Sequence, residues 1–176
     1  MKERVYGEKI NIDTENTISF YNQRAKTIKT REREYTTVLL GDKDPDFSVK
    51  WDAYEKQFIL PKLKLTKEKV ILDIGCGMGR WAQAVADQCK EYYGVDFSSE
   101  MIAVAKENVK KENCHFYTMS LVDALSDLKI TARKYDLVLM VGVSMYINED
   151  ELKESYRLLR NLVNKDSLFY FEESVG

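Results

Sequence analysis

The chain has 176 residues, of which 44% are hydrophobic and 32% are charged, with a formal net charge of −2. This length suits one domain with a substantial core, and the balanced charge argues against a nucleic-acid binder. No apolar run approaches the roughly 18–20 residues that span a bilayer, and residues 1–10 lack the apolar segment of a signal peptide. Three scattered cysteines and a single histidine argue against a disulfide framework or a metal centre. We therefore expect a cytoplasmic globular protein that binds neither nucleic acid nor membrane.

The N-terminal part, residues 1–66, is predicted to form a helical cap. An apolar side chain recurs every three or four residues from Ile18 to Ile28, which predicts an amphipathic helix. The pattern extends through Tyr35, and Gly41 is a suitable stop. A first helix is therefore expected to run from this region toward Gly41.

A second helix is predicted to begin with Asp44 as its N-cap and Pro45 in its first turn. Aromatic residues then recur at helical spacing and form one face. That face consists of Phe47, Trp51, Tyr54 and Phe58. We expect Trp51 and Tyr54 to be core contacts between this helix and the rest of the protein.

From residue 67 onward, apolar runs of strand length alternate with helical patterns. The five runs that predict strands are 69–75, 91–97, 114–120, 135–143 and 167–175. Such alternation predicts an α/β fold with a doubly wound, mostly parallel sheet. Ligands of these sheets bind in the crevice outside the carboxyl ends of the strands.

A glycine-rich loop, "GCGMG" at residues 75–79, follows the first predicted strand. The second strand ends in Asp96, where an acidic side chain can accept both hydroxyls of a ribose, so an adenosine-containing cofactor is expected. A dinucleotide fingerprint would have glycine in place of Arg80. Asp73, just before the loop, would repel a pyrophosphate but attract an ammonium group. The amino group of S-adenosylmethionine satisfies that preference.

Three segments carry a resemblance to a known family. "VILDIGCGMGRWA" at 70–82, "YYGVDFSSEMIAVAKEN" at 92–108 and "YDLVLMVGVSMYINEDEL" at 135–152 resemble motifs of class I S-adenosylmethionine-dependent methyltransferases. The resemblance covers about residues 67–176. It implies a Rossmann-like methyltransferase fold, with S-adenosylmethionine as cofactor and S-adenosylhomocysteine as product.

The resemblance also implies which residues contact the cofactor. Asp73 would organise the amino group, Asp96 would hold the ribose, and Met119–Leu121 would sit beside the adenine. Cys76 is expected to be a small side chain beside the methionine moiety and not a nucleophile. The full implied set is Tyr21, Asp73, Gly75, Cys76, Gly77, Gly79, Arg80, Asp96, Phe97, Ser98, Met101, Met119, Ser120, Leu121 and Val141.

Candidate catalytic residues follow the fourth and fifth strands. Tyr146 and Glu173 are predicted to contact an acceptor hydroxyl, and Ser144 and Glu172 are also well placed. The alternative is that Tyr146 packs as an amphipathic lid and one glutamate points to solvent. His115 lies at the beginning of the third strand, away from the crevice, and is expected to be structural.

A basic segment in the cap suggests an anionic methyl acceptor such as a phosphate, phosphonate or carboxylate. Its alternative is a solvated helix face, because Glu32 and Glu34 interleave with the basic residues. A separate alternative concerns Trp51 and Tyr54, which could line the acceptor pocket instead of the core. The basic residues are Arg24, Lys26, Lys29, Arg31 and Arg33.

The resulting hypothesis is a methyltransferase for a small molecule, with acceptors such as sugars, phosphonates or other anionic metabolites. The alternatives are a non-catalytic S-adenosylmethionine-binding partner subunit and a nicotinamide-dependent oxidoreductase. Sheets of the family usually have seven strands, whereas five are predicted here. We therefore expect that a C-terminal segment is missing or that another subunit, as in a homodimer, covers the fifth strand.

Overall fold

The computed structural model describes residues 11–28, 38–39 and 45–173. These residues contain a five-stranded sheet in the order β3-β2-β1-β4-β5, with every pair of neighbours parallel. The strand order reverses next to β1, so the predicted doubly wound α/β fold is confirmed. The strands are β1 (Val70–Ile74), β2 (Glu91–Asp96), β3 (Cys114–Thr118), β4 (Tyr135–Val141) and β5 (Val163–Glu172).

Helices cover both faces of this sheet. Successive side chains of β1 alternate between the two faces, so Ile71 enters one core and Leu72 the other. Trp81 and Ile102 pack on the Ile71 side, and Leu159 packs on the Leu72 side. The connecting helices are α3 (Arg80–Val85), α4 (Ser99–Asn108), α5 (Leu121–Ala124), α6 (Leu128–Thr131) and α7 (Glu149–Leu159).

The first helix, α1 (Thr14–Lys26), begins after Asp13, whose side chain accepts a hydrogen bond from the backbone N–H of Asn16. It packs against α4, and its buried residue Ala25 belongs to the same hydrophobic cluster as Met101 of α4. The helix ends at Lys26, so the prediction that it continues past this residue is wrong. Tyr35 and Gly41 themselves lie outside the described residues.

The second helix, α2 (Pro45–Ile59), forms as predicted but presents a different face to the domain, about 100° round the helix from the aromatic one. Ser48, Asp52 and Glu55 are buried. The aromatic face is instead exposed by 46% at Phe47, 37% at Trp51, 55% at Tyr54 and 47% at Phe58, so the expected core contacts of Trp51 and Tyr54 are wrong. The carboxylates turn inward because a buried cation beneath them, Arg80, needs partners. The candidate cap Asp44 lies outside the described residues.

Within the described part of the chain, no helix has both the length and the apolar character needed to cross a membrane.

Candidate functional site

The loop between β1 and α3 folds back against the end of β2. The backbone N–H groups of Gly75 and Cys76 both donate to the carbonyl oxygen of Val95, at 2.8 and 3.0 Å. Gly75 has φ +70°, and Gly77 has φ +52°. Side chains other than hydrogen are disfavoured in this left-handed region. The glycines therefore permit a turn that brings the loop backbone to the carboxyl edge of the sheet.

Besides its positive φ, a close approach to Val143 also disfavours a side chain at Gly75. A Cβ atom built there would lie 2.3 Å from a Cγ atom of Val143, whereas one built at Gly142 would meet nothing within 4 Å. Gly142 has a similar φ of +67°, so it is a matched control for backbone strain alone. Gly142→Ala is expected to lower the free energy of unfolding by about 1 kcal/mol.

Gly75→Ala is expected to cost more, about 3 kcal/mol, because the clash adds to the strain. Urea denaturation of the two variants measures the difference. Equal losses in the two variants would contradict a close approach between Gly75 and Val143.

Asp96, at the end of β2, anchors the loop. One carboxylate oxygen accepts from the backbone N–H of Gly77 at 2.9 Å, and the other accepts from that of Ser98 at 2.8 Å. Burial raises the pKa of Asp96 to about 6, although both hydrogen bonds oppose that rise. Each carboxylate oxygen can accept more than one hydrogen bond, so Asp96 keeps acceptor capacity for a ligand.

Asp73 is the second buried carboxylate of the site. It lies on β1 and accepts a hydrogen bond from the hydroxyl of Tyr92. Burial raises the pKa of Asp73 to about 7, while the hydrogen bond from Tyr92 lowers it. A nearby cation would favour the ionised form of this carboxyl group.

Two adjoining cavities open at this edge of the sheet. The smaller, of about 70 Å³, lies beside Asp96, and the larger, of about 470 Å³, includes Asp73. The larger has the size of a small-molecule site. Predicted site residues that line at least one cavity are Tyr21, Asp73, Gly75, Cys76, Gly77, Arg80, Asp96, Phe97, Met101, Val141 and Tyr146.

Other predicted site residues do not line either cavity. Ser98 is buried and caps α4, since its hydroxyl accepts from the N–H of Met101 at 3.1 Å. Ser120 likewise caps α5, and the side chain of Leu121 enters the core beneath the sheet. Gly79 precedes α3 as its N-cap. The geometry therefore gives these residues, together with Met119, structural positions outside the two cavities.

Arg80 lines the larger cavity, but its charge is already paired. One guanidinium nitrogen donates to Asp52 at 2.9 Å and to Glu55 at 2.6 Å, and all three side chains are buried. These partners hold the pKa of Arg80 above its usual range against the opposing effect of burial. The cofactor contact that the resemblance implies for Arg80 therefore competes with an ion pair that anchors α2.

The candidate catalytic residues separate in the structure. Tyr146 lines both cavities, and its ring lies edge-on to that of Tyr21, with centroids 5.4 Å apart. Glu173 instead accepts from the backbone N–H groups of Val143 and Ser144, at 3.2 and 2.7 Å. It supports the loop after β4 and does not line either cavity, while its second carboxylate oxygen is buried without a partner among the described residues, so its contact with an acceptor stays a prediction. The neighbouring Glu172 lines the larger cavity.

Sequence reasoning missed several contributors to the site. Asp52 and Glu55 hold Arg80, Tyr92 holds Asp73, and Tyr170 donates to Glu172. For Asp52 and Glu55, the sequence does contain a signal of this role. Ser48, Asp52 and Glu55 share a helix face that adjoins the aromatic one, which is the spacing of a polar face that binds a partner.

Fold and site together define the Rossmann-like methyltransferase architecture, with a glycine loop after β1 and an acid after β2. A model of the family described as "Methyltransferase domain" matches residues 71–166. The chain belongs to this methyltransferase domain family, and the resemblance found in the sequence is confirmed.

Individual relatives are similar over part of their length. A protein of Methanococcus vannielii named "Probable cobalt-precorrin-6B C(15)-methyltransferase (decarboxylating)" is 36% identical over 39% of this chain and 40% of its own. Phosphoethanolamine N-methyltransferase 1 of Zea mays is 27% identical over 70% of this chain and 24% of its own. The chain spans about two fifths or less of the length of these curated relatives.

Solved structures support the fold. Haemonchus contortus phosphoethanolamine N-methyltransferase 1, in complex with phosphoethanolamine and S-adenosylhomocysteine, superposes with a TM-score of 0.75. The superposition covers 92% of this chain and 32% of that one, at 20% identity. The methyltransferase fold is therefore shared over nearly the whole chain.

Proposed function

We propose that this protein binds S-adenosylmethionine and transfers its methyl group to a small-molecule acceptor. The observation that carries this proposal is the pair of buried carboxylates, Asp73 and Asp96, that face the two adjoining cavities on either side of the glycine loop. Family membership supports the activity, and relatives named for phosphoethanolamine and precorrin substrates support a small acceptor.

The residues fit this cofactor better than a dinucleotide. Asp96 retains acceptor capacity for ribose hydroxyls. Asp73 lines the larger cavity, where a carboxylate attracts an amino group and repels a pyrophosphate. The charge of Asp73 therefore argues against the nicotinamide alternative, whereas Asp96 suits either cofactor. The volume of the larger cavity leaves room for an acceptor, which favours an enzyme over a cofactor-binding partner subunit.

The chain's own residues contribute mainly by binding and orientation. S-adenosylmethionine supplies an electrophilic methyl group on its sulfonium. Asp73 would hold the amino group and Asp96 the ribose, while Tyr21 and Tyr146, whose rings contact edge to face, line both cavities. Holding donor and acceptor in line accounts for much of the rate in a displacement of this kind. Tyr146 is the proposed contact for the acceptor.

Arg24 supports an anionic group on the acceptor, because its side chain lines the larger cavity. Of the other basic residues in this segment, Lys26 lies 3.8 Å from Glu100 at the surface. Lys29, Arg31 and Arg33 lie outside the described residues. The proposed acceptor is therefore a small metabolite, such as a phosphonate, phosphate or sugar derivative, whose negative group is bound near Arg24.

The affinity for S-adenosylmethionine is expected to rise about tenfold between about pH 6 and pH 8, because Asp73 must ionise to pair with the cofactor's amino group. The affinity rises with pH because the raised pKa of about 7 leaves Asp73 mostly protonated below that pH in the free protein. Calorimetric titration across this range measures the effect. Asp73→Asn should bind more weakly with a flatter profile, and an unchanged slope in that variant would assign the effect to another group.

The decisive test of the proposed function is calorimetric titration of S-adenosylmethionine, S-adenosylhomocysteine and NAD into the protein. Binding of both adenosyl ligands with no heat from NAD is the expected result. Acceptor screening then follows, with methyl transfer detected as S-adenosylhomocysteine release. Binding of NAD alone would overturn the proposal in favour of an oxidoreductase.

A further inference from the structure

The larger cavity extends well beyond the proposed cofactor residues. Glu172, at the end of β5, lies two strands from Asp73 on β1, a separation of about 10 Å at the usual strand spacing. The cavity wall is rich in aromatic side chains, contributed by α1, α2, α3 and the turn after β4. These are Phe20, Tyr21, Phe47, Trp51, Trp81 and Tyr146.

Glu172 belongs to a group of side chains with excess negative charge. The Tyr170 hydroxyl lies 3.0 Å from a carboxylate oxygen of Glu55 and also bonds to Glu172. A hydroxyl has one proton, so it can donate to only one of these two carboxylates at a time. Burial raises the pKa of Glu55, and its proximity to Glu172 adds to that rise, which indicates repulsion between the two groups.

The nearby cations do not balance this charge. Arg80 pairs with Asp52 and Glu55, and Lys56 pairs with Asp52 at 2.8 Å. Within the described residues of this group, the three carboxylates Asp52, Glu55 and Glu172 therefore exceed the two cations Arg80 and Lys56 by one charge. Of the described residues, Arg24 also lines the cavity as a cation, and its guanidinium lies over the ring of Phe20 on α1, 5.4 Å from the centroid.

Trp81 provides an independent sign of an absent ligand. It is 3% exposed and lines the same cavity, yet its indole N–H has no hydrogen-bond partner among the described residues. A buried donor without a partner is costly. A ligand with an oxygen atom near Trp81 would satisfy it, whereas the ring of Trp81 already has a cation over it, the guanidinium of Arg80 at 5.3 Å from its centroid.

We propose that Glu172 and Trp51 form a subsite that binds a cationic amine or ammonium group of the methyl acceptor, with the indole N–H of Trp81 donating to an oxygen atom of the same molecule. The carboxylate provides the charge, and the aromatic walls favour a cation over a neutral group of equal shape. This inference rests on the proposed function for the identity of the ligand as an acceptor. Combined with Arg24, it describes a small molecule with a positive and a negative group.

The two tryptophans of the chain provide the readout, because both line the larger cavity. Their fluorescence is recorded while choline, a quaternary ammonium, or its neutral isostere 3,3-dimethylbutan-1-ol is added at constant ionic strength. Each titration is run on the free protein and on protein saturated with S-adenosylhomocysteine. Choline is expected to bind about tenfold more tightly than the alcohol in both conditions.

Variants test the assigned residues. Glu172→Gln is expected to weaken choline binding about tenfold and to leave binding of the alcohol unchanged. Glu151→Gln, at an exposed position on α7, is the matched control and should match wild type. Trp51→Leu, on the exposed aromatic face of α2, retains Trp81 as the reporter and should weaken choline binding severalfold.

Three results would overturn the subsite. These are equal affinities for choline and the alcohol, full choline affinity in Glu172→Gln, and displacement of choline by S-adenosylhomocysteine, which would place the cation at Asp73. Failure of S-adenosylhomocysteine to bind would instead overturn the proposed function. In that case the titrations on free protein still measure the affinities for choline and the alcohol.

Discussion

Replacing Asp96 by alanine is expected to weaken S-adenosylmethionine binding at least a hundredfold, equal to about 3 kcal/mol. The variant removes the proposed acceptor for the ribose hydroxyls. It also removes the hydrogen bonds that the carboxylate accepts from the backbone N–H groups of Gly77 and Ser98. Calorimetric titration measures the loss of affinity.

Two further variants separate these effects at Asp96. Asp96→Asn keeps the size of the side chain and one acceptor oxygen, so an intermediate loss of about tenfold is expected. Asp166→Ala, at an exposed position of β5, is the control and should bind like wild type. Wild-type affinity in a folded Asp96→Ala protein would refute the ribose assignment.

Replacing Arg80 by methionine is expected to lower the free energy of unfolding by about 3–5 kcal/mol. The substitution leaves Asp52 and Glu55 buried without the cation that both contact. A loss of this size is a large part of the 5–15 kcal/mol that stabilises a typical domain. Urea denaturation followed by circular dichroism measures it.

Arg157→Met is the matched control for Arg80→Met. Its side chain is 72% exposed and pairs with Glu154 on the surface of α7, so the expected loss is below about 1 kcal/mol. Adding Asp52→Asn and Glu55→Gln to Arg80→Met should recover part of the stability, because no buried charge is then left unpaired. Similar losses in the two arginine variants would show that the buried pairs contribute little.

The secondary structure was largely predictable because its signals are local. The five apolar runs became the five strands, and the glycine loop at 75–79 formed the turn that its φ angles require. The end of α1 was less predictable. Its apolar spacing continues past Lys26, but the helix stops there with Thr27 as its C-cap. Periodicity identifies a face and does not by itself determine where a helix ends.

The orientation of α2 was predicted incorrectly for a physical reason. An aromatic helical face usually packs inward, and that expectation placed Trp51 and Tyr54 in the core. Arg80 reverses this preference, since an unpaired buried guanidinium would cost more than the exposure of several rings. The partners of Arg80 lie 25 and 28 residues away in sequence, so no local pattern identifies them.

The sequence alone determined the fold class, the glycine loop and the two acids Asp73 and Asp96, because strand periodicity, left-handed glycines and acids at strand ends are local signals. Only the tertiary structure decided that Glu172 lines the cavity while Glu173 supports a loop. Adjacent residues at a strand end differ in what packs around them, and Glu172 meets Tyr170 and, through it, Glu55, which lies 115 residues from Tyr170. Contacts between such distant residues exist only once the chain has folded.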